Sequence, residues 1–344
     1  MLAIRKLRNK LMVAGVTLSV AAVLTACTSA GTTNVGPTNN SDNGAAGKSI
    51  VIGFSGPAAD HGWLGAINAN AIAEAKKYPD VTLKVAEGTS DANLQISQVE
   101  GFINDHVDAI VLLPTDGAAL TKVAIKAMQA GIPVINVDRE FSSTFAARVT
   151  ILGDNYGMGV SAGTYICEKL SGKPNSVVAE IAGIDSLPLT QDRSRGFKDA
   201  LSTCGLSVTH RVAADFTPAG GEAVTSQLLA AAPHIDAIWN HDDDQGIGVL
   251  AAIKSAGRSE FFMVGGAGSA NAMREIKADT GVLKATVIYP STQAADAIAL
   301  ARLLVHHKSL SDLVEISVPR KVVLNAPVVT KDNVDKYLPS AFES

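Results

Sequence analysis

The stretch at residues 108–140, DAIVLLPTDGAALTKVAIKAMQAGIPVINVDRE, constrains the fold of this chain more than any other. Residues 109–113 form a short apolar run of the kind that makes a strand buried on both faces, and Pro114-Thr115-Asp116-Gly117 ends it with turn-forming residues. Residues 118–130 are helix formers with Leu120, Val123, Ala127 and Met128 at helical spacing; Gly131 stops them, and 132–137 supplies the next strand. This unit delivers Asp138 and Arg139 to a strand end, where open α/β sheets bind ligands. A carboxylate beside a guanidinium there accepts and donates hydrogen bonds to vicinal hydroxyls; the alternative is an ordinary surface ion pair.

The same alternation continues on both sides. Before the unit come a strand at 50–54, a helix at 64–77, a strand at 81–86 and a helix at 94–104. After it, helices at 158–170, 193–202, 221–231, 245–255 and 271–277 alternate with strands at 177–182, 208–213, 237–239, 261–264 and 284–288. A last long helix at 292–305 precedes a closing strand at 316–323. Such alternation predicts an α/β fold with two doubly wound parallel-sheet lobes and a cleft between them.

The first residues carry Arg5, Lys6, Arg8 and Lys10, then an apolar segment at 11–24, then Leu24-Thr25-Ala26-Cys27, which reads as an export signal. The apolar run is shorter than the roughly 20 residues of a spanning helix. Residues 28–48 are rich in Ser, Thr, Asn and Gly and bury no core, so they read as a flexible tether, with the fold beginning near Ser49. Removing a leader with four positive and no negative charges moves the formal charge from −4 to −8, so no nucleic-acid partner is expected. Cys167 and Cys204 are free to bridge in an oxidising compartment or to remain buried thiols. No Cys or His spacing suggests a metal site.

The strings Leu113-Pro114-Thr115-Asp116, Ile132-Pro133-Val134 with Asp138-Arg139, Gly153-Asp154-Asn155, RSRGF at 193–197, Ala214-Asp215-Phe216, and Asp242-Asp243 followed by Gly248 carry a resemblance in their order and spacing. From Ser49 onward the chain resembles the ribose-binding-protein branch of type I periplasmic sugar-binding proteins. The leader resembles a bacterial lipobox, which implies lipidation of Cys27 and anchoring to the outer face of the cell membrane; a plain cleaved signal peptide is the alternative. The family resemblance implies a three-crossing hinge, with crossings near Gly153, Pro290 and Pro319. The implied organisation is a signal peptide at 1–26, a tether at 27–48, a first lobe of 49–152 plus 291–318, and a second of 153–290 plus 319–344.

By the same resemblance the lobes close on one monosaccharide or sugar alcohol, which an ABC permease with its ATPase takes up. Asp138 and Arg139 match the family's ligand positions, and Trp63 and Phe216 fall where it places aromatics that stack on a sugar ring; core filling is the alternative for both. The sequence departs from the family at Leu113, Gln191, Asp242, Gly266-Ala267 and Tyr289. Asp60, His61, Asp242 and Tyr289 are the residues expected to compensate, with Gln191 a neutral donor in place of a charged one. The lost bulk at Gly266 is expected to admit a longer ligand.

Other signals are weaker. Asn240, Asp242 and Asp244 alternate as in a calcium loop, but position twelve is Ala251 instead of Glu. The run Gly266-Ala267-Gly268-Ser269-Ala270-Asn271 lacks the third glycine of a dinucleotide loop, so no cofactor is expected. The rival function is an exported glycoside hydrolase using two of Asp60, Asp138 and Asp242; Arg139 beside Asp138 and the lack of a G-x-S-x-G elbow count against enzymatic activity. A sugar sensor for a membrane signalling protein stays open beside transport.

Overall fold

A computed structural model describes residues 43–310 and 318–344. The leader, Cys27, most of the tether and the predicted start of the closing strand at Ile316 lie outside the described residues. The first series of elements is β1 (Ile50–Ser55), α1 (Gly62–Ala75), β2 (Val81–Val85), α2 (Ala92–Asn104), β3 (Ala109–Leu112), α3 (Gly117–Gln129), β4 (Val134–Val137) and β5 (Val149–Gly153). The second is α4 (Asn155–Lys169), β6 (Val178–Ala182), α5 (Pro188–Thr203), β7 (Val208–Ala213), α6 (Pro218–Ala231), β8 (Ala237–Asn240), α7 (Asp243–Ser255), β9 (Phe262–Ala267), α8 (Ala270–Ala278) and β10 (Leu283–Ile288). Then follow α9 (Gln293–Val305), β11 (Lys321–Leu324), β12 (Val328–Thr330) and α10 (Val334–Tyr337).

Two six-stranded sheets result, ordered β11-β5-β4-β3-β1-β2 and β12-β10-β9-β8-β6-β7. All ladders are parallel except the pairing of β10 with β12. Strands β3, β4, β6 and β8 are buried at every residue, as helices on both faces of a sheet require. Side chains at most helix starts accept the first free amides: Asp91 for α2, Asp116 for α3, Asp154 for α4, Thr217 for α6, Asp242 for α7 and Ser269 for α8. These caps fix where each helix leaves the strand end before it.

The chain passes between the sheets after Gly153, across 289–292 and across 325–327. The sequence reading put the third crossing near Pro319 and ended the first lobe at 318. Instead β11 pairs with β5 from Lys321↔Thr150 to Leu324↔Gly153, so the first lobe extends to Leu324. A proline cannot donate to a ladder, and Pro319 marks the approach to an edge strand, not the hinge. Strand β5, strand β12 and helix α10 carry no assignment in the sequence reading; all are short, and β5 alternates buried and half-buried residues. The tether also ends earlier than predicted. Buried Arg302 of α9 pairs with Asp80 and donates to the carbonyls of Asn43 and Ala45, so the segment is docked before Lys48.

Helices α4 and α5 pack backbone to backbone. A Cβ at Gly159 would lie 2.0 Å from Arg193 O, and one at Gly196 would lie 2.1 Å from Tyr156 O, so only glycine permits this approach. At the far end of the same pair Cys167 and Cys204 are bridged, with Cα atoms 5.9 Å apart, which settles the alternative left open by the sequence. Both contacts fix the position of α5 and therefore of Arg193.

Candidate ligand-binding site

Strand ends of the two sheets face each other across a small cavity of about 30 Å³, lined by His61, Trp63, Asp138, Arg193, Phe216 and Tyr289 among others. Asp138 follows β4 in the left-handed region at φ 63°, and Phe216 follows β7 at φ 68°. Non-glycine residues held there store strain, and such strain clusters at functional sites. Asp138 is buried; its amide donates to Ile151 O, which ties the turned residue to β5. The Phe216 amide donates to the Gln245 side chain, and its ring rests over Gly183, where a Cβ would come within 2.0 Å of it.

Tyr289 is the centre of the site. Its hydroxyl donates to Asp138 Oδ1 at 2.5 Å and accepts from Asn155 Nδ2 at 3.2 Å. Burial first, and then the Asp138 charge, push the phenol far above its usual range, so it stays a donor. The Arg193 guanidinium lies 4.5 Å from the Tyr289 ring centre and 5.9 Å from that of Phe216. Arg193 Nε donates to Asn155 Oδ1 at 2.9 Å and Nη1 to His241 O at 3.2 Å.

Trp63 is held from the second lobe at both of its N–H groups. Its amide donates to Asp244 Oδ2 at 2.9 Å and its indole Nε1 to Tyr289 O at 3.1 Å. The indole is buried yet lines the cavity, so core filling and site lining are combined in one side chain. Arg139 donates Nη1 to Thr115 O at 2.7 Å, while its Nε, 3.8 Å from Asp138 Oδ2, finds no hydrogen-bond partner among the described residues. With Asp138 buried and Arg139 half-buried beside the cavity, the pair lines the cleft and is not an ordinary surface ion pair.

Three adjacent carboxylates divide their work. Asp242 caps α7 by accepting from the amides of Asp244 and Gln245 and borders the cavity; burial, then the Asp244 charge, raise its pKa to about 7. Asp243 holds the 266–269 loop, accepting from the amides of Gly266, Gly268 and Ser269 and from the Thr286 hydroxyl. Burial outweighs those donors and raises it to about 7 as well. Asp244 reaches across to Trp63.

Of the residues read from sequence, His61, Trp63, Asp138, Arg139, Phe216, Asp242 and Tyr289 are brought together around the cavity. Asp60 is not among them; it is exposed and accepts from His61 Nδ1 at 2.6 Å, orienting that ring from outside. Gln191 also points away, exposed and hydrogen-bonded to Asp185 O. The guanidinium missed at that position comes from Arg193. The reason is the helix start: α5 begins at Pro188 instead of 193, so Leu189 and Arg193, four apart, share the cavity face while Gln191 lies on another. A proline at the first helical position was the sequence signal for this. Gly266 admits no longer ligand, because a Cβ there would lie 2.3 Å from His241 O and 2.6 Å from Met158 Cε.

Two parallel-sheet lobes, three crossings and a polar and aromatic cavity between strand ends define a bilobal small-molecule-binding protein of the α/β type. A family profile described as a periplasmic binding protein domain matches residues 52–309, and the chain belongs to that family. It is 30% identical over 255 residues to the ribose import binding protein RbsB of Bacillus subtilis (strain 168), covering 74% of this chain and 80% of that protein. It is 31% identical to the galactofuranose-binding protein YtfQ of Escherichia coli (strain K12), covering 60% and 67%. Among solved structures, that of a galactofuranose binding protein aligns with a TM-score of 0.74 at 25% identity, over 84% of this chain and 97% of that one.

Proposed function

We propose that this chain is an extracytoplasmic receptor that captures a monosaccharide or sugar alcohol by lobe closure and delivers it to an ABC permease and its ATPase. The observation that carries this reading is the clasp around the cavity: Tyr289 to Asp138, and Trp63 to Asp244 and Tyr289, bring both lobes and the hinge to one point. In this reading Trp63 and Phe216 cover the apolar faces of the ring, Asp138 accepts from its hydroxyls, and Arg139 and Arg193 donate to them. Asp242 and His61 complete the far side. A cavity this small takes a sugar only once the lobes have parted, and they then close over it, the hinge motion expected of such binding proteins. Relatives named for ribose and galactofuranose support the sugar class, and a solved protein with bound myo-inositol has the same fold. Residues 1–26 act as a lipoprotein leader in this reading, with Cys27 lipidated and the receptor held at the outer face of the cell membrane.

Sensing is the second reading, favoured by one observation: the fructose-binding periplasmic domain of a hybrid two-component system aligns at a TM-score of 0.73 and 28% identity. A thermal-shift screen against pentoses, hexoses, their furanosides and sugar alcohols tests the site, because a ligand at a hundredfold excess over its dissociation constant stabilises by about 2.7 kcal/mol. The Asp138→Ala variant is expected to keep its fold and lose the shift; an unaltered shift in that variant removes the site assignment.

A further inference from the structure

A second chamber of about 300 Å³ adjoins the small cavity, and Asp138, Arg139 and Leu189 line both. We propose that this chamber accepts a substituent carried by the bound sugar, so that the preferred ligand is a glycoside or similarly extended sugar, with its ring between Trp63 and Phe216. The inference deepens the sugar-receptor reading and rests on it. Continuity is the first ground: Asp138 and Arg139, assigned to gripping the ring, and Leu189 line both spaces. Size is the second. The inner cavity is about the share of one water in the liquid, about 30 Å³, whereas the chamber is at the lower end of ordinary ligand sites, about 300–1,000 Å³.

The lining gives the chemistry. Ala118, Leu152, Leu187 and Pro188 offer apolar surface, and carboxylates from Asp116, Glu140 and Asp192 border it, with Arg139 as the cation. Glu140 is paired with Lys321 and Asp192 with Arg195, which leaves Asp116, with no cationic partner among the described residues, as the unbalanced charge on this wall. A neutral or cationic extension fits such a wall, and an anionic one is repelled. Ala118 and Ser142 are exposed and line only the chamber, so bulk added at either narrows it without entering the core.

Calorimetric titration of the purified chain tests this with ribose, arabinose, galactose and allose, each as the free sugar and as its methyl, 4-nitrophenyl, 6-aminohexyl and 5-carboxypentyl furanosides. The expected result is at least tenfold tighter binding of a nitrophenyl or aminohexyl glycoside than of its parent sugar, with the carboxypentyl compound weaker than the aminohexyl one. Ala118→Trp and Ser142→Trp are expected to remove that gain while leaving affinity for the parent sugar unchanged. Equal affinities for parent sugar and glycosides, or tryptophan variants that weaken both alike, overturn the chamber assignment alone. Failure of every compound to bind, or binding that survives Asp138→Ala, overturns the sugar-receptor reading beneath it.

Discussion

Replacing Tyr289 with Phe removes a single oxygen and leaves the ring on which the Arg193 guanidinium rests. The lost hydroxyl donates to Asp138 at 2.5 Å and accepts from Asn155 at 3.2 Å, and all three residues are buried. A hydrogen bond to a charged group contributes about 1.5–3 kcal/mol. Asp138 belongs to the first lobe and Tyr289 to a crossing from the second, so the bond is a property of the closed arrangement and its loss falls on closure. At about 1.4 kcal/mol per tenfold, affinity for whichever sugar the wild type binds is expected to fall roughly 10- to 150-fold. Calorimetric titration at neutral pH measures this, and a melting point within a few degrees of wild type separates lost closure from lost folding. Affinity within twofold of wild type would refute the argument, because it would mean that the hydroxyl makes no difference between open and closed forms.

Arg193→Met keeps the length of the side chain and removes its donors; ligand affinity is expected to fall more than tenfold, while Gln191→Ala stays within twofold of wild type, and titration of both variants in parallel checks the exchange of roles. Asp242→Asn probes the buried carboxylates in ligand-free protein. A carboxyl raised from 3.8 to about 7 in the fold stabilises fully below 3.8 and loses that contribution as pH rises through 7, so the variant's melting point should gain on wild type across this window by the equivalent of a few kcal/mol. A difference that does not change with pH between 4 and 8 would count against a buried, protonated Asp242. Cys167→Ser opens a loop with a sequence separation of 37, which chain entropy values at about 3–4 kcal/mol. Urea unfolding with and without reductant measures it, and reductant is expected to destabilise the wild type but not the variant.

The sheet strands and most helices were legible because their signals are local. Residues 109–113 are uniformly apolar and bounded by turn formers, and β3 sits there buried on both faces. Asp138 and Arg139 were legible for the same reason, since the end of a buried parallel strand is a defined place in such a fold. Gln191 misled because its role was carried over from the family resemblance; on α5, which starts at Pro188, it lies two residues from Arg193, and a shift of two residues on a helix turns a side chain to another face. Asp60 misled differently: its neighbours enter the cavity, while its own carboxylate stays outside, turned toward His61.

Sequence by itself determined the class of fold, the alternation of strand and helix, and the acid-base pair at the end of β4. Each is set by periodicity, turn chemistry or capping within a few residues, interactions that act without the rest of the chain. Tertiary structure alone decided that β11 joins the first sheet, that Cys167 reaches Cys204, and that Tyr289 meets Asp138 across 151 residues of sequence. It also decided that Arg193, fixed by the glycine-mediated approach of α4 and α5, supplies the guanidinium over the cavity. Those contacts arise from packing between distant segments, and no local pattern records which distant segment will be adjacent.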